Sequence, residues 1–274
     1  AVLGTLASFG IARNPPTDPT RKISAKSFGS VLPTLAGIFR SDPLMMRIMV
    51  VYSWFWFVGG VALTAINAFG RLQLGLSNFE TSLMVAATSL GIAAGSVAVG
   101  RMSLGKVRIG LIVPALSVLV LCLLGLSLIQ VHSPAPEEIE LFNQLKNSPE
   151  LLEENGIIPK ASLSIRSVAF ALFFLLGAAS GFFSVPLLTF IQARPPASEK
   201  GRVFAAVNWF NWVFILASAL AYGVGMASFS NRANLLLAAL GAATLLMGIV
   251  LLPGIFRMIG REKPDFVYIK SKKL

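Results

Sequence analysis

The sequence contains six runs of residues that carry no Asp, Glu, Lys, Arg or His. Runs of roughly twenty such residues can cross a bilayer as an α-helix, because the hydrocarbon core is about 30 Å thick. The runs cover residues 48–69, 82–100, 109–131, 167–193, 203–226 and 233–256. They predict an all-α integral membrane protein built around a six-transmembrane-helix bundle.

The composition excludes several other classes of protein. Only 13% of the 274 residues are charged and 55% are apolar, which is too little charge to cover the surface of a soluble domain. The net charge of +11 does not indicate nucleic-acid binding, because the basic residues form short clusters between apolar runs. The single cysteine, Cys122, lies within an apolar run, so disulfide frameworks and CxxC metal sites are excluded.

The distribution of Lys and Arg predicts the orientation in the membrane. Eighteen of the twenty-three cations fall in the two end segments and in alternate connections between runs, and cytoplasmic connections carry such an excess. The other connections carry five cations, and six Glu lie within residues 137–154. Because the number of spans is even, both ends of the bundle are expected in the cytoplasm.

The segments outside the runs have separate assignments. Residues 1–12 are apolar but too short to cross, and we expect the end of a preceding transmembrane helix; a short interfacial segment is the alternative. Residues 13–47 are expected to form a cytoplasmic linker, and residues 257–274 a basic cytoplasmic tail. Residues 132–166 are expected to form an external loop with helix starts near Pro136 and Pro149.

Two local patterns refine the linker before the first run. Apolar residues at helical spacing predict a short amphipathic helix on the cytoplasmic face: Phe28, Val31, Leu32, Leu35, Ile38 and Phe39. The sequence Ser41-Asp42-Pro43 then predicts a capping side chain followed by a first-turn proline at the start of the next helix.

Few residues are available for catalysis, so no enzyme, catalytic residue, cofactor or metal site is expected. The single histidine, His132, is followed five positions later by Glu137. Acyltransferases place an Asp at that spacing, whereas this pair is flanked by prolines in a predicted external loop. No phosphate-binding glycine loop and no pair of carboxylates within a run is present in the sequence.

The six runs contain hydroxyl, amide and indole groups, which suit an amphipathic substrate that needs hydrogen bonds at its head and apolar contact along its body. The alternatives are that each Ser or Thr bonds its own helix backbone, and that the Trp residues are interfacial anchors. An amide in lipid needs partners, which favours a role for the Asn residues. The candidates for a substrate cavity are Ser53, Trp56, Asn67, Ser184, Gln192, Asn208 and Asn211.

Two glycine patterns predict close helix packing. Gly91-x-x-x-Gly95 and Gly177-x-x-x-Gly181 lie in the second and fourth runs. Small residues at this spacing let two helix backbones approach each other in a membrane.

The stretch Gly100-Arg101-x-Ser-x-Gly105-Lys106 resembles the loop that joins the second and third helices in each half of major facilitator superfamily transporters. The stretch from Pro196 to Arg202 resembles that family's other cytoplasmic loop. The resemblance implies that the bundle is one half of a twelve-helix major facilitator fold. It also implies candidates for a cytoplasmic gate, namely Gly100, Arg101, Gly105, Lys106, Glu199 and Arg202. The family often has an Asp where this chain has Val99 or Gly100, so the resemblance supports packing and dipole contacts rather than a charge relay.

A closer resemblance is to the bacterial lysophospholipid transporters of that superfamily, including forms fused to an acyltransferase. It is carried by Ser53–Phe57, by the Gly95-to-Lys106 region, and by the segment from Gly181 through Pro186 and Gln192 to Asn208. It implies flipping of lysophosphatidylethanolamine and similar lipids from the outer to the inner leaflet of a Gram-negative inner membrane. The chain would then be the C-terminal half, and its partners the bilayer, the lysophospholipid and an N-terminal six-helix half.

Two other functions stay open at this point. One is a drug or metabolite exporter of the same superfamily. The other is a membrane anchor for an acyltransferase domain that follows Leu274, to which the basic tail would lead.

Overall fold

A computed structural model describes residues 31–103, 107–129, 135–145, 161–196 and 198–261, together with residues 5, 8–10 and 29. The described residues form helices and no strand. In chain order the helices are α1 (Val31–Ser41), α2 (Pro43–Ala68), α3 (Asn78–Ser103), α4 (Ile112–Ser127), α5 (Pro136–Leu145), α6 (Leu163–Ala193), α7 (Lys200–Ser228) and α8 (Ala233–Arg261). A π-helical turn, Phe69–Gln73, extends α2, and a 3₁₀ turn, Ile109–Leu111, precedes α4.

The prediction of six spans is confirmed. Helices α2, α3, α4, α6, α7 and α8 are long and apolar enough to cross a membrane. Several helices extend past the charge-free runs, and α6, for example, begins at Leu163 and includes Arg166. A helix can carry a charge in its end turns because these reach the headgroup region. The helix predicted at Pro136 is confirmed as α5. The start near Pro149 and the tail after Arg261 lie outside the described residues.

The exposed arginines at one end of the bundle define what we call the basic end: Arg40, Arg47, Arg101, Arg108, Arg202, Arg257 and Arg261. Helices α2 and α7 begin there, and α3, α6 and α8 end there. The N-terminus of α2 has the predicted cap, because the Asp42 carboxylate accepts a hydrogen bond from the Met45 backbone N–H at 2.9 Å. Pro43 follows as the first helical residue, where the missing N–H costs nothing.

At the opposite end, α3 begins with a capping box that the sequence analysis missed. The Glu80 carboxylate accepts from the Ser77 backbone N–H at 3.0 Å, and the Ser77 hydroxyl accepts from the Glu80 N–H at 3.2 Å. The same Glu80 forms an ion pair with Arg166 of α6 at 2.9 Å. This pair joins the first turns of α3 and α6.

The two glycine patterns are partners in one helix contact. A methyl group on Gly91 would overlap the backbone carbonyl of Phe174, and one on Gly177 would overlap the carbonyl of Thr88. Gly95 meets the backbone of Ala178 in the same way. The residue numbers rise together on both helices, so α3 and α6 run parallel. The close approach predicted from each pattern separately is confirmed, and α3 packs along α6 as one unit.

The interior is apolar in two layers. The layer away from the basic end contains Phe69 and Phe173, whose rings meet edge to face at 5.9 Å. The layer near the basic end contains Phe183, Leu187 and Ile255. Helix α2 contributes to both layers and contacts α6, α7 and α8. Helices α4, α6 and α8 also contribute several residues to both layers, so these four helices form the centre of the bundle.

Candidate functional site

A buried polar pair joins α2 to α7. The Ser53 hydroxyl donates a hydrogen bond of 2.7 Å to the Asn211 side-chain oxygen, and both residues are buried. Seven residues further along both helices, Gly60 faces Ser218, whose hydroxyl would collide with any methyl group on the glycine. Because the numbers increase together, α2 and α7 run parallel. The two contacts fix their register.

The register places two exposed candidates on the same side of the α2–α7 pair. Trp56 comes three residues after Ser53, and Asn208 comes three residues before Asn211. Both helices are right-handed and run in the same direction. A residue three positions after the contact on one helix and a residue three positions before it on the other therefore lie on the same side of the pair. Trp212 lies one turn after Asn208. We call Trp56, Asn208 and Trp212 the amide–indole face; all three are exposed, with Trp212 at 63%.

Helix α8 lies on the other side of this pair. Trp54 comes one residue after Ser53, and its indole N–H donates to the Thr244 hydroxyl of α8 at 3.2 Å. The position of Trp54 around α2 is therefore far from that of Trp56. The amide–indole face points away from α8 and is not covered by it.

The remaining cavity candidates have different surroundings. Asn67 is exposed and follows Trp56 by three helical turns, which places it on the same stripe of α2. On α6, Ser184 is half-buried and Gln192 is exposed near the end of the helix. In the described part of the chain, no hydrogen bond joins Ser184 or Gln192 to the amide–indole face. The prediction that the three Asn residues line a cavity stays a prediction.

The gate candidates that the structure describes lie at the basic end. Gly100 and Arg101 are exposed in the last turn of α3, while Gly105 and Lys106 lie outside the described residues. A methyl group on Gly100 would meet no atom within 4 Å, so no described residue of this chain makes a close approach there. Glu199 and Arg202 are exposed at the start of α7. With α1 they line a cavity of about 370 Å³.

Two polar contacts were missed by the sequence analysis. Arg194, which follows α6, donates two hydrogen bonds to the Asp42 carboxylate, at 2.5 and 2.9 Å. At the other end, the buried Gln73 side chain donates to the Asn234 side-chain oxygen at 2.5 Å and accepts from the Asn234 backbone N–H at 3.1 Å. The sequence around Asp42 already accounts for this residue as a helix cap, and Gln73 lies just outside a charge-free run. Neither pattern indicates a distant partner.

The described residues contain no cluster of three or more His, Cys, Asp or Glu that could hold a metal ion. The amide–indole face has hydrogen-bonding and aromatic groups but no charge. Such a surface can bind a polar but largely apolar molecule, and it offers no group for proton transfer or nucleophilic attack.

Comparison with known proteins decides the family. A family model described as Major Facilitator Superfamily matches residues 1–219. The chain belongs to the major facilitator superfamily. No curated protein and no solved structure matches it. The chain is therefore a multi-pass membrane transporter of this superfamily, whose members are in general not enzymes.

Arg101, exposed in the last turn of α3, is the gate candidate whose proposed role can be tested most directly. We expect Arg101→Ala to reduce transport while leaving membrane insertion and stability within about 0.5 kcal/mol of the parent, because the side chain is exposed. Transport and detergent-solubilised yield would be measured together in the complete polypeptide. Arg232→Ala, an exposed arginine at the opposite end, is the control. Equal transport by the two variants would leave Arg101 with a topological role only.

Proposed function

We propose that the chain is the C-terminal half of a transporter that moves lysophospholipids, such as lysophosphatidylethanolamine, across a bacterial inner membrane by alternating access. The observation that carries the proposal is the uncharged amide–indole face on α2 and α7. It is exposed on the side of these helices away from α8. In this superfamily two six-helix halves enclose the substrate between them, so an uncovered polar face in one half is suited to that site.

The chemistry of the face fits the two parts of a lysophospholipid. The Asn208 amide can donate to a phosphate or hydroxyl oxygen, whereas the Ser53–Asn211 pair behind it is buried and fixes the position of the two helices. The indoles of Trp56 and Trp212 combine an apolar surface with one N–H donor each. The face carries no charge, so a substrate's headgroup charge would be paired by the other half or remain partly hydrated.

The order of the segments along the chain supports the assignment as a C-terminal half. An apolar stretch precedes a linker, and the linker leads into six spans with both ends on the basic side. An antibody against the C-terminal tail would measure the mass of the native polypeptide in source-cell membranes. A mass near twice 29.2 kDa is expected for a twelve-helix transporter. A much larger mass would indicate a fused acyltransferase, and a band at 29.2 kDa would contradict the half-transporter assignment.

The role of the face is tested by removing its polar group. In the complete polypeptide, Asn208→Leu is expected to slow the movement of fluorescent lysophosphatidylethanolamine from the outer to the inner leaflet of right-side-out vesicles. The reduction should be roughly tenfold, the equivalent of one hydrogen bond to a charged phosphate. The matched control is Ser117→Leu, which removes an exposed hydroxyl from α4. Uptake that is unchanged by Asn208→Leu would remove the face from the transport path.

The substrate is tested separately from the site. Unlabelled lysophosphatidylethanolamine is expected to compete with the fluorescent lipid, whereas amphipathic dyes should not. Competition by dyes alone would favour a drug exporter of the same superfamily. Lysolipid movement in vesicles that contain no acyltransferase would argue against a role restricted to anchoring.

A further inference from the structure

Helix α1 has an apolar surface that the bundle covers on one edge only. We define the apolar arc of α1 as Val31, Leu32, Leu35, Ile38 and Phe39. Leu35 and Ile38 are half-buried against the core layer near the basic end. Leu32 and Phe39 are 60% and 66% exposed. These two residues are seven apart, so they lie on one stripe of the helix, next to Leu35.

Contacts with the bundle hold α1 weakly. The helix has 11 residues, and none of them is buried. A helix this short is marginal in water, and its stability depends on covering its apolar face. The covered edge of the arc contacts α2 and α7, and the uncovered edge carries its two largest exposed side chains. A second apolar environment is therefore needed beside the bundle.

The position and charge of α1 identify that environment. Only Asp42 separates α1 from α2, so α1 lies at the level where α2 enters the membrane. Arg40 is exposed beside the arc, Arg47 is exposed near the start of α2 and contacts Met258 of α8, and the Asp42 carboxylate is already paired with Arg194. In the sequence, the preceding stretch adds Arg13, Arg21, Lys22 and Lys26 against the single Asp18. An amphipathic helix with flanking cations is typical of a surface that binds anionic lipid.

We propose that Leu32 and Phe39 insert into the headgroup region of the leaflet at the basic end, and that Arg40 makes this contact selective for anionic phospholipids. Helix α1 is then held between two apolar partners, the bundle on one edge of its arc and the bilayer on the other. The proposal concerns the lipid surface and not the transported molecule, so it survives failure of the lysophospholipid assignment.

The other side of α1 provides matched control positions. Thr34, Gly37 and Ser41 line the cavity shared with Glu199 and Arg202 of α7. By helical geometry this side is turned away from the Leu32–Phe39 stripe. The proposal thus predicts lipid contact at residues 32 and 39, and water contact at the exposed Ser41 and, through the cavity, at the half-buried Thr34.

The test uses a fluorescent label on single cysteines in the complete native polypeptide. All other cysteines are removed, including Cys122 by Cys122→Ala, and Leu32→Cys, Phe39→Cys, Thr34→Cys and Ser41→Cys are each labelled with bimane. The protein is reconstituted in vesicles of phosphatidylcholine and phosphatidylglycerol, with or without lipids brominated near the headgroup. Labels at residues 32 and 39 should lose roughly half of their fluorescence to brominated lipid and little to iodide, whereas labels at residues 34 and 41 should show the reverse.

Two results would overturn the proposal. Strong iodide quenching at residues 32 and 39 would show that the stripe faces water. Protection of these positions from both quenchers would show that protein covers them, either the other half of the transporter or a second copy.

The selectivity for anionic lipid is tested by Arg40→Gln with the label at residue 39. In the parent, quenching by brominated lipid should increase as phosphatidylglycerol replaces phosphatidylcholine. The increase should be smaller in Arg40→Gln, because one cation beside the arc is lost. An identical dependence on phosphatidylglycerol in both proteins would overturn the assigned role of Arg40.

Discussion

Replacing Gly177 by alanine is expected to lower the free energy of unfolding by about 3 kcal/mol or more, because the new methyl group would overlap the Thr88 backbone carbonyl. A backbone atom cannot rotate away as a side chain can, so α3 and α6 would have to separate along their contact. Gly91→Ala should have a similar effect, because its methyl group would meet the carbonyl of Phe174. Unfolding by dodecyl sulfate in mixed micelles, followed by circular dichroism, measures the loss.

Gly223→Ala is the matched control for this prediction. Gly223 also lies inside a membrane-spanning helix, but a methyl group there would meet no atom within 4 Å. The replacement should leave stability unchanged or raise it by up to about 1 kcal/mol, because alanine loses less backbone entropy in a helix. Equal stability of the Gly177→Ala and Gly223→Ala proteins would show that the backbones of α3 and α6 leave room for a methyl group at their contact.

Breaking the Asp42–Arg194 pair is expected to destabilise the bundle by about 2 kcal/mol. The pair is two-pronged and partly buried, with the side chains 26% and 16% exposed, and the Arg194 guanidinium also lies over the Phe190 ring. Asp42→Asn removes the charge but keeps a side-chain oxygen that can cap α2. Asp42→Ala removes the cap as well and should cost about 1 kcal/mol more. The same unfolding measurement separates the two contributions.

A double-mutant cycle shows whether the two side chains act through each other. If they do, the double variant Asp42→Asn, Arg194→Gln should lose clearly less stability than the sum of the two single losses. Each single variant leaves one charged partner unpaired, whereas the double variant leaves none. Additive losses would show that the contact contributes nothing of its own. Arg194→Lys should be more stable than Arg194→Gln but less stable than the parent, since lysine keeps the charge but cannot form the two-pronged contact.

The sequence predicted the spans, the α2 cap and the close-packed glycines because each of these follows from a local pattern. A charge-free run has the length of the bilayer, and Asp42 lies directly before Pro43. The contacts between distant segments could not be predicted in this way. Nothing around Gly91 indicates that its partner is the helix of Gly177, and Arg194 was counted only as a cation that sets orientation.

Contacts between distant segments could not be predicted in the candidate site either. Ser53, Trp56, Asn208 and Asn211 were selected as polar or aromatic residues in apolar runs, but their types do not show which of them meet. The register of α2 against α7 puts Ser53 with Asn211 in the interior and leaves Trp56 and Asn208 exposed on one side. That register is set by packing along the whole length of two helices more than 100 residues apart in the sequence.

Helix α6 is fastened to a different neighbour at each end. Arg166 ties its first turn to Glu80 of α3, and Arg194 ties its last turn to Asp42 at the start of α2. Because α6 is bonded to α3 at one end and to α2 at the other, it resists movement of these two helices relative to each other. Sliding of α2 past α3 along the membrane normal would require one of these ion pairs to break. Helices α2, α3 and α6 should therefore tilt together as one rigid unit, and the bending needed to open and close a transport path should fall outside them.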